Sequence, residues 1–203
     1  LHSFPTRRSS DLITDGHIYL DSSLMHDGIL PAVNSSASVS RIGGSVQPKV
    51  LRRLGAVAGS SLARYNEVKS YETMNTEITE ETEREMNRGK RILEVFTQQS
   101  QFNFSVSEEC ILLHTVTCGI VDFIDLDIVA DMKKELIEYF RSHLDKFSKL
   151  NEFASSKGDI DDKDVTLFDE LFDNYCADNN TRASQELKLT LEKKRQGKSL
   201  KSN

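Results

Sequence analysis

Tryptophan is absent from the 203 residues and proline occurs three times, and neither shortage selects a fold by itself. The scarcity of cysteine says more. Cys110, Cys118 and Cys176 make an odd count with no C-x-x-C pair, which argues against a disulfide framework or a zinc site and leaves reduced thiols. Cys110 and Cys118 lie eight apart in an apolar, helix-like stretch, so they are expected as small buried side chains on roughly one face. No apolar run approaches the roughly 18 residues of a membrane span, so any membrane link must pass through partners. A concentrated basic face is missing from the body of the chain, and with a net charge of −6 this argues against nucleic acid as a partner.

Catalytic signatures are missing too. There is no G-x-x-x-x-G-K-[ST] phosphate loop, no H-E-x-x-H and no G-x-S-x-G elbow, and Gly43-Gly44 lacks the lysine and helix context of a phosphate cradle. The histidines His2, His17, His26, His114 and His143 show no metal-ligand spacing. His114, within an apolar helix, is expected as a hydrogen-bonded core or interface residue. Alone, the chain is expected to catalyse nothing.

What is present suits a protein of one domain or one and a half, with 37% hydrophobic and 29% charged residues. Residues 1–12 are polar and contain arginine, without the apolar centre of a secretory signal. They read as a non-native leader, similar to translated adaptor sequence, and are set aside. From Ile13, a turn signal at Asp15-Gly16 precedes an alternation that puts Ile18 and Leu20 on one face, and a second extended segment covers residues 32–39. Two strands do not make a stable sheet, so this part is expected to be the last piece of a larger one.

Helical patterns follow. Pro48 suits the first turn of a helix reaching about Val68, with Val50, Leu54, Val57, Leu62 and Tyr65 inward. A polar, acidic stretch over 72–85 comes next, with a weak capping box at Thr82 and Glu85, and Gly89 reads as a break before 90–96. Ser105 and Glu108 form a better capping box for a helix over 106–117 that Gly119 closes in the left-handed region. Asp125 or Asp127 caps a long helix over 128–149 whose stripe is Val129, Met132, Leu136, Ile137, Phe140, Leu144 and Phe147. After a loop containing Ser155, Ser156 and Gly158, a helix near 162–176 turns Val165, Phe168, Leu171, Phe172 and Tyr175 inward. Such stripes make a helical bundle. Residues 122–174 hold 15 acidic against 7 basic side chains, a solvated face, and residues 179–203 read as a basic tail, disordered or frayed.

One stretch stands out, PAVNSSASVSRIGG over residues 31–44, where Arg41 sits between small residues and a glycine pair. A guanidinium on such a loop is a planar, permanently charged fork for a phosphate. Together with ITDGHIYLD over 13–21, GILPAVN over 28–34 and SVSRIGGSVQ over 38–47, it resembles in order and spacing the alpha subunits of F-type, rotary, proton-translocating ATP synthases. The catalytic beta subunits of that family carry a different run before the arginine. The resemblance covers residues 13–174 and is strongest before Tyr65.

The resemblance implies a mixed, predominantly α fold: short terminal strands of an incomplete α/β nucleotide-binding domain over 13–47, then an all-α C-terminal helical bundle over 48–178. It implies a C-terminal fragment of a non-catalytic, regulatory subunit, inactive alone. In the intact complex Arg41 would act as an arginine finger, reaching in trans into the nucleotide site of an adjacent beta subunit, with Ser38 setting the loop. ATP or ADP with Mg2+ would be the ligand there. Pro31 and Gln98 would match the adenine side of the subunit's own, non-catalytic site, with Ser100 or, after a one-residue slip, Gln101 as the second contact. Two departures touch that site: Leu30 stands where the family commonly has arginine, and residues 97–102 loosen its Lys-Gln-x-Gln-Tyr pattern.

The implied partners are beta subunits in an alternating hexamer, a gamma-type central shaft and a peripheral stalk. The membrane would be met only through the complex, at the cytoplasmic face of a bacterial inner membrane or the matrix or stroma side of an organelle. The alternatives are a non-catalytic subunit of another hexameric rotary or secretion ATPase, and a stand-alone helical interaction module.

Overall fold

The computed structural model describes residues 14–35, 37–72, 79–98, 103–155 and 162–201. The expected leader, Ser100 and Gln101 lie outside the described residues, as do Ser156 and Gly158. The fold is the mostly helical one expected. A two-stranded antiparallel sheet, β1 (Gly16–His17) and β2 (Val39–Ser40), is followed by a packed set of helices. Short helices α1 (Ser22–His26) and α2 (Gly43–Val46) flank the second strand. The bundle contains α3 (Lys49–Glu72), α4 (Glu80–Phe96), α5 (Val106–Thr117), a 3-10 turn at Val121–Phe123, α6 (Leu126–Ser142), α7 (Ser148–Ser155), α8 (Asp162–Asp178) and α9 (Arg182–Lys201).

The sheet is an arm folded back on itself. Gly16 pairs with Ser40 and His17 with Val39, and a separate bridge joins Leu20 to Val33. Ile18 and Leu20 are exposed rather than sharing a covered face, since nothing among the described residues lies over them.

The bundle has one continuous core. α3 packs on α4 and α5, α4 on α6, α5 on α7, and α9 on both α6 and α8. Val50, Leu54, Ala58, Leu62 and Tyr65 form the buried stripe of α3, and Val57 faces solvent because Ala58 takes the inward position. Phe168, Leu171, Phe172 and Tyr175 are wholly buried, each burial contributing about 1.5–3 kcal/mol for a large apolar side chain. His114 is buried as expected, stacked on Phe168 with ring centroids 4.3 Å apart. Cys110 is buried and Cys118 half-buried at the end of α5. Burial pushes the Cys110 thiol up to about 12, aided by the Glu109 charge, so it stays protonated.

Local signals set several boundaries. Ser105 and Glu108 form the full capping box of α5. At its other end Gly119, at φ 72°, donates to Val116 and Ile120 donates to Thr115, the paired bonds of a Schellman turn. α4 starts earlier than the box at Thr82 suggested: Thr79 is its cap, accepting from the Thr82 N–H.

Three further expectations are overturned. Gly89 breaks nothing; α4 runs through it, because Tyr65 packs where a side chain would stand. The long helix over 128–149 is two helices, α6 and α7. Ser142 Oγ and the His143 ring both engage the Tyr139 carbonyl at 2.9 Å, ending α6, and the turn leaves Leu144 47% exposed while returning Phe147 to the core. The basic tail is α9, which buries Ala183, Leu187 and Leu191 against the bundle.

Candidate functional site

Arg41 sits where the arm ends. Its backbone N–H donates to the Asp15 carbonyl at 2.9 Å, extending the Gly16–Ser40 pairing by one residue, and its side chain is exposed. Immediately after it, the Gly43 N–H donates to Ser40 Oγ at 2.9 Å, which fixes the turn into α2. Arg52, one turn into α3, donates from its guanidinium to the Gly44 carbonyl at 3.0 Å. The base of the Arg41 loop is thereby tied both to the opposite strand and to the bundle.

Ser38 closes the other side. The pairing of the two sides is held at its outer end by Asn34, whose side chain accepts from the Ala37 N–H at 3.1 Å. Asn34 keeps its place with an N–H bond to the Tyr19 carbonyl at 2.8 Å. Ser38 Oγ then bridges the gap: it accepts from the Tyr19 N–H at 3.0 Å and donates to the Asn34 carbonyl at 2.6 Å. A hydroxyl does both jobs because it is donor and acceptor at once. Ser38 and Arg41, singled out together in the sequence, share one short, cross-tied arm.

The second predicted pair also meets. The peptide before Pro31 is cis, and the Leu30 carbonyl accepts from the Gln98 N–H at 2.6 Å. Segments far apart in sequence are thus joined at the end of α4. Gln98 is half-buried and borders a cavity of about 340 Å³ that Phe104, Lys133, Ile137 and Arg141 also line.

Sequence reasoning passed over Tyr19, Asn34, Arg52 and Lys133. The first three act through backbone atoms or reach them from a neighbouring helix, which composition and periodicity do not reveal. Lys133, half-buried on α6, donates to the carbonyls of Glu94 at 2.9 Å and Thr97 at 2.5 Å. Its burial lowers the ammonium's proton affinity and the Glu94 charge opposes this, with burial prevailing.

Among the described residues no group of three or more His, Cys, Asp or Glu side chains is placed to hold a metal ion. No helix among them is long and apolar enough to cross a membrane. The arrangement offers an exposed guanidinium on a braced loop and, separately, a junction between the Leu30–Pro31 peptide and Gln98 beside a cavity.

Residues 47–175 match the family model described as the ATP synthase alpha/beta chain, C terminal domain. Among curated proteins, the chain is 32% identical over 158 residues to an ATP synthase subunit alpha of Haemophilus influenzae (strain PittGG), covering 77% of this chain and 31% of the relative. It is 36% identical over 151 residues to that of Thioalkalivibrio sulfidiphilus, covering 74% and 29%. With the subunit alpha of Actinobacillus succinogenes the figures are 32% over 167 residues, 82% and 32%. The chain spans about a third of the length of these relatives.

Proposed function

Since the chain belongs to the ATP synthase alpha/beta chain family through its C-terminal domain, and its similar relatives are alpha subunits, we propose that it serves as the non-catalytic, regulatory alpha subunit of a rotary ATP synthase. Its contribution to chemistry is Arg41, delivered as an arginine finger to the nucleotide site of an adjacent beta subunit. The observation that carries this reading is the bracing of the Arg41 loop at Asp15, Gly43 and Gly44, beside the Ser38 bridge.

Phosphoryl transfer spreads negative charge over the moving group, and a pre-placed guanidinium stabilises that charge without reorganising when it develops. Such a cation in trans contributes about 10³–10⁵ in rate, or roughly 4–7 kcal/mol of barrier. Lysine offers the charge without the planar fork. Bracing matters because a loop free to move would have to be ordered in each turnover, at about 1–2 kcal/mol per residue.

The nucleotide ligand is ATP or ADP with Mg2+. Arg41 suits its phosphates, and Pro31 with Gln98 suits the base of a nucleotide in the subunit's own pocket; we assign no Mg2+ ligand to this chain. The partners in this reading are beta subunits, a central shaft and a peripheral stalk, placing the chain in a membrane-peripheral complex that couples ATP turnover to proton transport. The test is Arg41→Ala in the reassembled complex: hexamer formation persists and steady-state ATP hydrolysis is lost. Near-normal hydrolysis in that variant overturns the proposal.

A further inference from the structure

Gln98 leaves α4 in a particular way. In an uninterrupted helix its N–H would donate to the carbonyl four residues back, that of Glu94. Instead it donates to Leu30, across the junction that carries Pro31. The Glu94 carbonyl is left without its helical partner, and Lys133 of α6 supplies the replacement at 2.9 Å while also taking the Thr97 carbonyl at 2.5 Å. A cation at a helix C-terminus additionally meets the negative end of the helix dipole. Thr97 itself remains in register, its N–H and hydroxyl both donating to Leu93. The departure from the helix therefore begins at Gln98, and Lys133 is fixed on the carbonyl that Gln98 leaves and on that of Thr97 just before it.

We infer that Lys133 is a positioning residue for the subunit's own nucleotide pocket: by satisfying the carbonyl that Gln98 abandons, it lets Gln98 turn to Leu30–Pro31 and face the base. The inference rests on the reading of Pro31 and Gln98 given above. Without Lys133, the Gln98 N–H has a vacant carbonyl within its own helix to return to, and the junction loses its bond. A backbone carbonyl that has lost its partner in a half-buried place is costly, so the helix has reason to take Gln98 back.

The test uses the full-length subunit titrated with ATP. Lys133→Met keeps the stem and removes the donors; it weakens ATP binding by at least about tenfold, the loss expected when a charge-assisted hydrogen bond fails. Lys133→Arg restores most of the affinity, and Lys149→Met, at an exposed position on α7, leaves it unchanged. Because Lys133 acts through Gln98, the losses in Lys133→Met and Gln98→Ala are not additive in the double variant. Additive losses, or unchanged affinity in Lys133→Met while Gln98→Ala binds poorly, overturn the inference. Unchanged affinity in Gln98→Ala overturns the reading of the pocket itself, and the inference with it. A purely structural lysine would lower the unfolding midpoint without coupling to Gln98.

Discussion

The ring of Tyr65 on α3 lies against the backbone of Gly89 on α4, so closely that a Cβ on Gly89 would overlap the tyrosine's Cβ and ring atoms. Both residues are buried, and the contact lets the two helices approach. Glycine costs a helix interior about 1 kcal/mol relative to alanine, so Gly89→Ala on an open helix would stabilise. Here the added methyl meets a packed ring, and overpacking costs about 1–3 kcal/mol. Gly89→Ala is expected to lower stability by about 1–2 kcal/mol in denaturant unfolding. In a Tyr65→Ala background the same substitution reverses sign. A stabilising effect of Gly89→Ala in the parent chain would contradict the contact.

Glu108 and Glu109, neighbours on α5, should respond to pH in opposite senses. Burial raises the Glu108 pKa, but the Arg141 guanidinium, bonded at 2.6 and 3.0 Å, and the Ser105 N–H outweigh it and leave the value below the ordinary 4.5. A carboxylate depressed in the folded state contributes stability that is present above 4.5 and lost as pH falls through its folded pKa. Glu109 is raised by burial, so its contribution is full below 4.5 and lost as pH climbs through its elevated folded pKa. Glu108→Gln is therefore expected to destabilise at pH 7 by about 1–2 kcal/mol, with the difference vanishing in acid, and Glu109→Gln to stabilise modestly at pH 7. Parallel pH profiles of unfolding free energy for the parent and both variants decide it.

Ser38→Ala tests the brace without touching the charge. It leaves the Tyr19 N–H without its acceptor and removes the donor to Asn34 in a partly covered arm, at about 0.5–1.5 kcal/mol for each bond. The loop then samples more positions and Arg41 spends less time in place. Turnover in the assembled complex should fall about tenfold, well short of the loss in Arg41→Ala. Loss as complete as that of Arg41→Ala would give Ser38 a more direct part.

Much of this was legible where the signal is local. The box at Ser105 and Glu108 and the turn at Gly119 need only their own neighbours, and both stand where the spacing put them. Arg41 and Ser38 were legible as a pair through resemblance, but their bracing by Asp15, Tyr19 and Arg52 depends on contacts from distant segments. Gly89 misled because glycine signals both a break and a close approach, and only Tyr65 distinguishes them. The stripe through Leu144 continues smoothly in sequence; what stops the helix is competition of Ser142 and His143 for one carbonyl.

The α9 tail shows how a charge excess conceals a stripe. Seven basic residues from 181 onward made the segment read as solvent-borne, yet Ala183, Leu187, Thr190 and Leu191 recur at helical spacing and are buried. Thr181 and Ser184 exchange bonds at the start of the helix, and Thr181 Oγ1 also reaches Glu135 at 2.6 Å, on α6. The same Glu135 oxygen accepts from the buried Tyr175 hydroxyl at 2.7 Å, so α6, α8 and the entry to α9 share one carboxylate. At the far side Arg195 holds Asp173 at 2.8 Å, an exposed pair that adds little. If α9 is part of the core, Leu187→Ala costs about 2–4 kcal/mol, as a cavity-forming change should. Leu189→Ala, at a position 56% exposed on the same helix, stays within about 0.5 kcal/mol. Equal, small effects at both positions in denaturant unfolding would mean that the helix contributes nothing to the fold.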